Sequence, residues 1–290
     1  MTILCCPVCE LPLEWEERRC LCAQGHSFDV AREGYVNLLL STQKASREPG
    51  DGREMVGSRK AFLEAGHYRP IADQIAGLVE RYLPDRDAAT ILDAGCGEGY
   101  FLRQLATAGE ARLAPTDGGV LPGEARLAPT DRWGVDISRW AVRSAARADP
   151  GASFLVASIH RLPLQPGTVD VLLSILAPRD FEQFHRALAP GAHLLVAVPG
   201  PRHLYTLRGL VYRNPREHET ESKLEAGPGF ESVAEETFTC PLRLDPAAIG
   251  QLVAMTPYLW HLDEESRRAL AATGELRTDA EIVVRALRRL

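Results

Sequence analysis

The stretch ILDAGCGEGYF, at positions 91–101, decides the fold of this chain. An apolar run that ends at Asp93 is followed by Gly95, Gly97 and Gly99, and then by residues with helical period. Glycine at alternate positions lets the backbone turn sharply and approach a ligand closely. In open α/β folds such a turn lies at the carboxyl edge of the sheet, where ligands bind. We therefore expect a first strand, a ligand-binding loop and a helix, in this order.

The sequence after this loop predicts a doubly wound α/β domain. Further apolar runs follow, most of them separated by helical stretches, at 133–136, 153–158, 169–177 and 193–199. Their apolar character is continuous rather than alternating, which is typical of parallel strands covered on both faces. We expect a mostly parallel sheet with helices on both sides.

The spacing of the glycines indicates one class of cofactor. A dinucleotide fingerprint reads G-x-G-x-x-G, whereas this loop reads G-x-G-x-G with Asp93 two positions before the first glycine. The pattern resembles the S-adenosylmethionine (SAM) loop of class I methyltransferases. That resemblance implies a Rossmann-like, seven-stranded sheet whose loop binds SAM through Asp93, Gly95, Gly97 and Gly99. Asp136 ends the next strand, and we expect it to accept hydrogen bonds from both ribose hydroxyls. The alternative is an ordinary strand–helix turn that needs glycine only for packing.

Two later segments concern the adenine of the cofactor and the choice of substrate. After the third strand, ASIHRLPL (157–164) has Ser158 and His160 where class I enzymes often carry an acidic residue near the adenine. The fourth strand ends in SILAP (174–178), which differs from the Asn/Asp-Pro-Pro-Tyr of amino-group methylases. An exocyclic amine is therefore a less expected methyl acceptor.

The segment between the first two strands contains a repeat. GEARLAPTD stands at 109–117 and again, letter for letter, at 123–131. The repeat is too short for a solenoid unit. We interpret it as a duplication that a surface loop tolerates at little entropic cost. A substrate-gripping loop is the alternative.

The N-terminal segment carries cysteines at metal-ligand spacing. Two close pairs a dozen residues apart are typical of small zinc modules, and a Cys3His set closes a tetrahedral structural site. The four predicted ligands are Cys6, Cys9, Cys22 and His26. A redox-active pair and bystander thiols are the alternatives, but a thioredoxin-type pair stands at a helix N-terminus and this segment is poor in helical pattern. Cys5 and Cys20 are expected to be spare thiols, and Cys96 and Cys240 to be packing residues.

Composition bounds the organisation of the chain. Its 290 residues, 45% of them hydrophobic, can bury one main core and a small appendage. The expected division is a zinc module at 1–36, a linker and helical segment at 37–83, and a methyltransferase domain at 84–290. The sequence has no apolar run of membrane-spanning length and no secretory signal pattern, so we expect a cytoplasmic protein. The net charge of −6 argues against indiscriminate binding of polyanions.

Several motifs together carry a family resemblance. CPVC, CAQGHSFDVAREGYVNLL, SREPGD, AFLEAGHYRP, LDAGCGEGY, VASIHRLP and VPGPRHL closely resemble the RlmA-type 23S ribosomal RNA guanine-N1-methyltransferases. The likeness covers essentially the whole chain, through MTPYLW at 255–260, and the duplicated loop is the one clear departure. GCGEGY and PGPRHL resemble the branch that modifies guanine 745 rather than the branch acting on guanine 748.

The resemblance implies SAM-dependent methylation of guanine N1 in a 23S rRNA hairpin. It implies zinc at the four predicted ligands and SAM contacts from Tyr68, Gly97, Glu98 and His203. It also implies a homodimer whose zinc modules and methyltransferase domains frame a cleft for the RNA hairpin. A small-molecule methyltransferase, or a noncatalytic RNA-binding protein with a vestigial SAM fold, is the alternative.

The chemistry needs a group that accepts the guanine N1 proton or stabilises charge on O6. His160 and His203 are weak candidates for the proton acceptor, beside Glu98, and Arg202 is a candidate partner for O6. Each histidine could equally be an ordinary hydrogen-bonded residue.

Basic and aromatic residues are candidates for RNA contacts. Solvated charges without function and aromatic core packing are the alternatives. The candidates are Lys44, Arg47, Arg53, Arg59, Lys60, Arg202, Arg208, Arg213 and Arg216, with Trp15 and Tyr35 for stacking on bases.

Overall fold

The computed structural model of the protein describes residues 3–44, 46–84, 88–105, 130–220 and 224–290. The strands are β1 (Leu13–Trp15), β2 (Arg19–Cys22), β3 (Ser27–Asp29), β4 (Val36–Asn37), β5 (Ala89–Ala94), β6 (Thr130–Asp136), β7 (Ser153–Val156), β8 (Val169–Ile175), β9 (Leu188–Pro199), β10 (Phe230–Leu244) and β11 (Leu276–Arg289). The helices are α1 (Arg53–Glu64), α2 (Arg69–Tyr82), α3 (100–105 within the described residues), α4 (Arg139–Ala148), α5 (Phe181–Ala187), α6 (Tyr205–Val211), α7 (Pro246–Ala254) and α8 (Glu264–Ala272). Short 3-10 turns cover Ser41–Gln43, Ile159–Arg161 and Pro257–His261.

One twisted sheet organises the chain. Its strand order is β10-β11-β9-β8-β5-β6-β7-β4. The strands from β9 to β4 pair in parallel, whereas β11 is antiparallel to both of its neighbours. The order reverses at β5, where the glycine loop begins, so the loop lies at the switch point of a doubly wound sheet. The predicted mostly parallel α/β fold is confirmed.

The sheet has an eighth strand beyond the expected seven. The two-residue strand β4 pairs in parallel with β7, with Val36 opposite Leu155. Val36 and Leu38 are buried by this pairing. A strand of two residues has no periodicity, and its partner lies more than a hundred residues away, so the sequence pattern did not predict it.

Apolar cores cover both faces of the sheet. On one face, α1, α2, α4 and α7 pack their apolar sides against the strands. Helix α2 shows the pattern clearly, because Ile71, Ile75, Leu78 and Val79 fall on one side at helical spacing and are all buried. Strand β8 is buried along its whole length, as expected for a central strand covered on both faces.

The N-terminal module packs on the opposite face. Its strands form a small antiparallel sheet in the order β1-β2-β3. Backbone hydrogen bonds join it to the main domain, from Cys5 N to Pro163 O (2.9 Å) and from Gln165 N to Ile3 O (2.8 Å). Leu4 and Leu13 share one apolar cluster with β7 and β8 residues. The module is therefore joined to the methyltransferase core by both hydrogen bonds and burial.

The repeated segment lies largely outside the described residues, which resume at Thr130, the start of β6. Within the described chain, no helix combines the length and the apolarity needed to cross a membrane.

Candidate cofactor site and zinc cluster

The glycine loop leaves the carboxyl end of β5 in a conformation that requires glycine. Gly95, Gly97 and Gly99 all have positive φ, at +90°, +55° and +77°. A side chain on Gly95 would also place its Cβ 2.5 Å from the Cβ of Ala177. The Gly95 N–H donates to Val135 O at 2.8 Å, which ties the loop to β6. The loop is thus a close-packed turn held between two strands.

Asp136 holds this turn in shape. Its Oδ2 accepts a hydrogen bond from Gly97 N at 3.0 Å, and its Oδ1 accepts one from Ser138 N at 2.7 Å. A carboxylate oxygen has two lone pairs, so each oxygen can accept one more donor. The side chain is only partly buried, which leaves it accessible to a ligand. This geometry fits the predicted contact with ribose hydroxyls.

Two further carboxyl groups at the loop are buried, and each has one oxygen without a hydrogen-bond partner among the described residues. Asp93 and Glu98 are 1% and 4% exposed. Among the described residues, Asp93 Oδ1 and Glu98 Oε2 have no hydrogen-bond partner. Burial raises the pKa of Asp93 to about 8, with further contributions from the charges of Asp136 and Glu98. Burial also raises the pKa of Glu98 to about 6, although Arg59 opposes the shift.

Buried polar atoms without partners are rare in native proteins, and they indicate a missing ligand, ion or water. An acidic pocket of this kind attracts a cation. SAM carries a sulfonium and an ammonium group beside its ribose, so the residues present fit this cofactor in charge and in hydrogen bonding.

Arg59 is a member of this site that sequence reasoning missed. It is a candidate for RNA contact by sequence, but the structure buries most of its side chain, which pairs with Asp51 and lies 3.8 Å from Glu98 Oε2. Its Nη1 is also the nearest atom to a Cβ built on Gly97, at 3.4 Å. No spacing signal marks it. The excess of buried carboxyl groups at the loop is the physical reason for a buried cation.

Residues 48–52, here called the strap, hold Arg59 in place. The Ser138 hydroxyl donates to Asp51 O at 2.6 Å, and Glu48 pairs with Arg139. Gly50, at φ +80°, passes so close to Ile137 that a Cβ would lie 2.8 Å from its Cγ2. The segment interpreted as linker thus packs against the loop that follows Asp136.

Tyr68 and His203 lie together at the same edge. Their rings are 6.5 Å apart, centre to centre, and both side chains are buried. His203 Nδ1 lies 2.9 Å from Glu281 O, so Nδ1 carries the proton and donates. Burial lowers the pKa of His203 to about 4, so the ring stays neutral at pH 7 with its lone pair on Nε2. Tyr68 shares one apolar cluster with Cys96 of the glycine loop.

His160, the other candidate proton acceptor, stands apart in a more open position. Its side chain is 65% exposed and its Nδ1 lies 2.9 Å from Asp180 Oδ2. The pair joins the turn after β7 to the start of α5. The structure therefore gives His160 a carboxylate partner but leaves most of its ring in solvent.

The four predicted metal ligands come together in the N-terminal module. Their donor atoms all lie within 4.8 Å of one another. His26 Nδ1 lies 3.6 Å from Cys6 Sγ and 3.4 Å from Cys22 Sγ, and the sulfurs of Cys9 and Cys22 are 3.7 Å apart. A tetrahedron with Zn–S of ~2.3 Å and Zn–N of ~2.0 Å has edges of about 3.5–3.8 Å. The cluster fits zinc, and Cys5 and Cys20 lie outside it.

The candidate RNA residues divide by burial. Arg208 is buried against the Tyr205 ring and donates to Arg216 O, so it is unavailable at the surface. Trp15 packs edge-on against Trp133 at 5.9 Å, which is a core contact. Cys96 and Cys240 are buried in the main core, as expected for packing residues.

Comparisons with known proteins match both the N-terminal module and the methyltransferase domain of the chain. Residues 4–47 match the family model for the RlmA N-terminal zinc ribbon, and residues 65–226 match the family model for a methyltransferase domain. The chain is 37% identical over 271 residues to a protein of Streptomyces fradiae named 23S rRNA (guanine(748)-N(1))-methyltransferase, covering 92% of this chain and 89% of that protein. It is 36% identical over 281 residues to a candidate 23S rRNA (guanine-N(1)-)-methyltransferase of Micromonospora griseorubida, covering 89% of this chain and 87% of that protein.

The matched regions contain the zinc cluster and the SAM-type glycine loop, and the two relatives align with nearly the whole length of this chain. The chain belongs to the RlmA-type family of 23S rRNA (guanine-N1)-methyltransferases.

Proposed function

We propose that this protein transfers a methyl group from SAM to N1 of a guanine in a hairpin of 23S rRNA. The observation that carries the proposal is the pair of buried carboxyl groups at the glycine loop, Asp93 and Glu98, each with an oxygen that has no hydrogen-bond partner within the part of the chain that the structure describes. The names of the family relatives supply the substrate class.

Different residues at the loop are assigned to different parts of the cofactor. SAM, when bound, supplies an activated methyl group on a positively charged sulfur. Asp136 offers its free lone pairs to the ribose, while the backbone of Gly95, Gly97 and Gly99 permits close approach. Asp93 and Glu98 are carboxyl groups that a bound cation would favour in their ionised form, and they would then offset positive charge in a region from which water is largely excluded. Tyr68 closes the pocket with an apolar ring.

His203 is the residue best placed to accept a hydrogen bond from guanine N1–H. Its Nδ1 proton is fixed by Glu281 O, so the Nε2 lone pair is the only acceptor on the ring. Its lowered pKa keeps it neutral beside a cationic cofactor, and it also makes the ring a weak base. We therefore assign His203 to orienting the N1–H bond of the acceptor. As the N1–C bond forms, the N1 proton becomes acidic, and Nε2 accepts it and passes it to solvent.

The zinc ribbon serves as a structural and RNA-facing unit in this proposal. Four protein ligands leave no open position on the metal, so zinc stabilises the module and takes no part in the transfer. Because the module shares an apolar core with β7 and β8, its orientation relative to the cofactor pocket is fixed.

The finer assignments are also proposals. Motif resemblance favours guanine 745, whereas the relative from Streptomyces fradiae is named for guanine 748. An rRNA substrate implies a cytoplasmic protein, and the family resemblance implies a homodimer that frames the hairpin between its two zinc ribbons.

The test is methyl transfer from labelled SAM to a 23S rRNA fragment that lacks the modification, followed by nuclease digestion and mass spectrometry. We expect 1-methylguanosine as the labelled product, and mapping of the labelled fragment separates guanine 745 from 748. Transfer to a small molecule without RNA would favour the small-molecule alternative. Absence of SAM binding by calorimetry would favour a noncatalytic RNA-binding protein.

A further inference from the structure

Leu176 combines a strained backbone conformation with an exposed apolar side chain, and neither property stabilises the fold. It follows the carboxyl end of β8, its φ is +53°, and its side chain is 42% exposed. The left-handed region suits glycine and asparagine, and a bulky residue there is an outlier. Such a conformation is strained, and it tends to persist at functional sites.

A second leucine in the left-handed region, Leu204, has a structural reason for its conformation. Leu204 has nearly the same φ, +52°, but its side chain is 1% exposed and belongs to the main apolar core. Its N–H also donates to Asp279 O at 2.8 Å. Full burial of the leucine side chain is stabilising, and this offsets the strain at Leu204. The Leu176 side chain buries a smaller part of its surface, so less burial energy offsets its strain, and glycine suits a left-handed conformation better.

The position of Leu176 relates it to the cofactor pocket. Its neighbour Ala177 is the residue that Gly95 packs against so closely. The Leu176 N–H donates to Ala197 O at 2.9 Å, which anchors it to the end of β9. The loop after β9 carries His203. Leu176 is thus a rigidly held, exposed apolar side chain between the glycine loop and the His203 loop.

We propose that the Leu176 side chain is the surface against which the ring face of the acceptor guanine packs, so that N1 is held toward the cofactor. This rests on the proposed function. A guanine lifted out of a hairpin loop loses its stacking partners, and an apolar side chain replaces one of them and excludes water from that face. Orientation of the acceptor contributes much of the acceleration in a transfer of this kind.

The test replaces Leu176 by glycine and by phenylalanine. Leu176→Gly relieves the strain, so we expect equal or higher thermal stability and unchanged SAM affinity. We expect a loss of about 10-fold in kcat/KM for the RNA hairpin, because the acceptor base loses its apolar packing surface. Binding of a labelled hairpin should weaken in parallel. Leu176→Phe should retain most of the activity because it restores an apolar face.

Val233→Ala is the matched control, since Val233 is 41% exposed on β10 and lies away from the glycine loop in the sheet order. It should leave methylation of the hairpin unchanged. The proposal is overturned if Leu176→Gly methylates the hairpin within about twofold of the unaltered protein, or if it loses SAM affinity as much as RNA activity. The proposed function is tested first, by methylation of the hairpin with the unaltered protein. The comparison with the variants then tests the role of Leu176 alone.

Discussion

Replacing Asp93 by asparagine should make the protein more stable and less able to bind SAM. Asp93 is 1% exposed, its Oδ1 has no hydrogen-bond partner among the described residues, and burial raises its pKa to about 8. In the unfolded chain its pKa is about 3.9. At pH 7 the unfolded side chain is therefore ionised, whereas the folded one is protonated.

This difference sets the size of the effect. Each pH unit between about 3.9 and 8 removes about 1.4 kcal/mol from the free energy of unfolding, which gives about 4 kcal/mol at pH 7. Asparagine has nearly the same shape and cannot ionise, but a buried amide without partners costs about 1–3 kcal/mol. A net gain of about 2 kcal/mol remains, and it raises Tm by about 3 °C for a chain of 290 residues. The gain should grow from pH 5 to pH 8 and then level off.

The assay is thermal unfolding of both proteins between pH 5 and 9, with calorimetric titration of SAM at pH 7.5. SAM affinity should fall at least 10-fold, because a bound cationic cofactor favours the ionised form of Asp93, which asparagine cannot adopt. Asp170→Asn is the control, because the Asp170 carboxylate is buried but accepts a hydrogen bond from Thr90 N at 2.8 Å. It should bring no gain in stability and leave SAM affinity unchanged. The reasoning is refuted if Asp93→Asn is no more stable than the unaltered protein at pH 8.5, or binds SAM equally well.

The other predictions concern the zinc cluster, the buried cation and the neutral histidine. Cys22→Ser should abolish the zinc content measured by atomic emission, whereas Cys20→Ser should retain one zinc ion per chain; equal loss in both would contradict the ligand set. Arg59→Gln should lower the free energy of unfolding by about 3 kcal/mol at pH 8 and by less at pH 5, because it leaves a buried carboxylate unpaired. Lys60→Gln on the same helix removes an exposed pair and should cost less than about 1 kcal/mol. The unaltered protein should lose up to about 3 kcal/mol of stability as the pH falls from 6.5 to 4, because the pKa of His203 is lowered to about 4, and His203→Asn should lose less. An unchanged acid profile in that variant would count against a buried neutral histidine.

Local spacing explains why so much of the site could be predicted from the sequence. The glycine loop and the zinc cluster each depend on residues close together in the chain, so their geometry is set by short spacings and by the chemistry of the side chains. The carboxylate at Asp136 was also predictable, because it marks the end of a strand with a clear apolar pattern. These predictions required no knowledge of distant contacts.

The features that sequence reasoning missed depend on distant contacts or on single backbone angles. Arg59 lies in a polar, basic stretch that predicts solvent exposure, and only the folded chain places it beside Glu98. Strand β4 exists because β7 offers it a free edge. The left-handed conformation of Leu176 could not be predicted from the strand pattern, because a leucine at this position is also what an ordinary buried strand would have. Charge balance and edge pairing are properties of the assembled sheet.

The most direct test of the central claim is reverse transcription across the 23S rRNA hairpin, using rRNA from cells with the gene deleted and with it restored. A methyl group on guanine N1 removes the Watson–Crick donor, so the polymerase stops one nucleotide before the modified base. We predict a stop at a single guanine of the hairpin loop that is present only when the gene is expressed and that is weaker with the Asp93→Asn variant than with the unaltered gene. The same stop pattern in both strains, or no stop in either, would contradict the account.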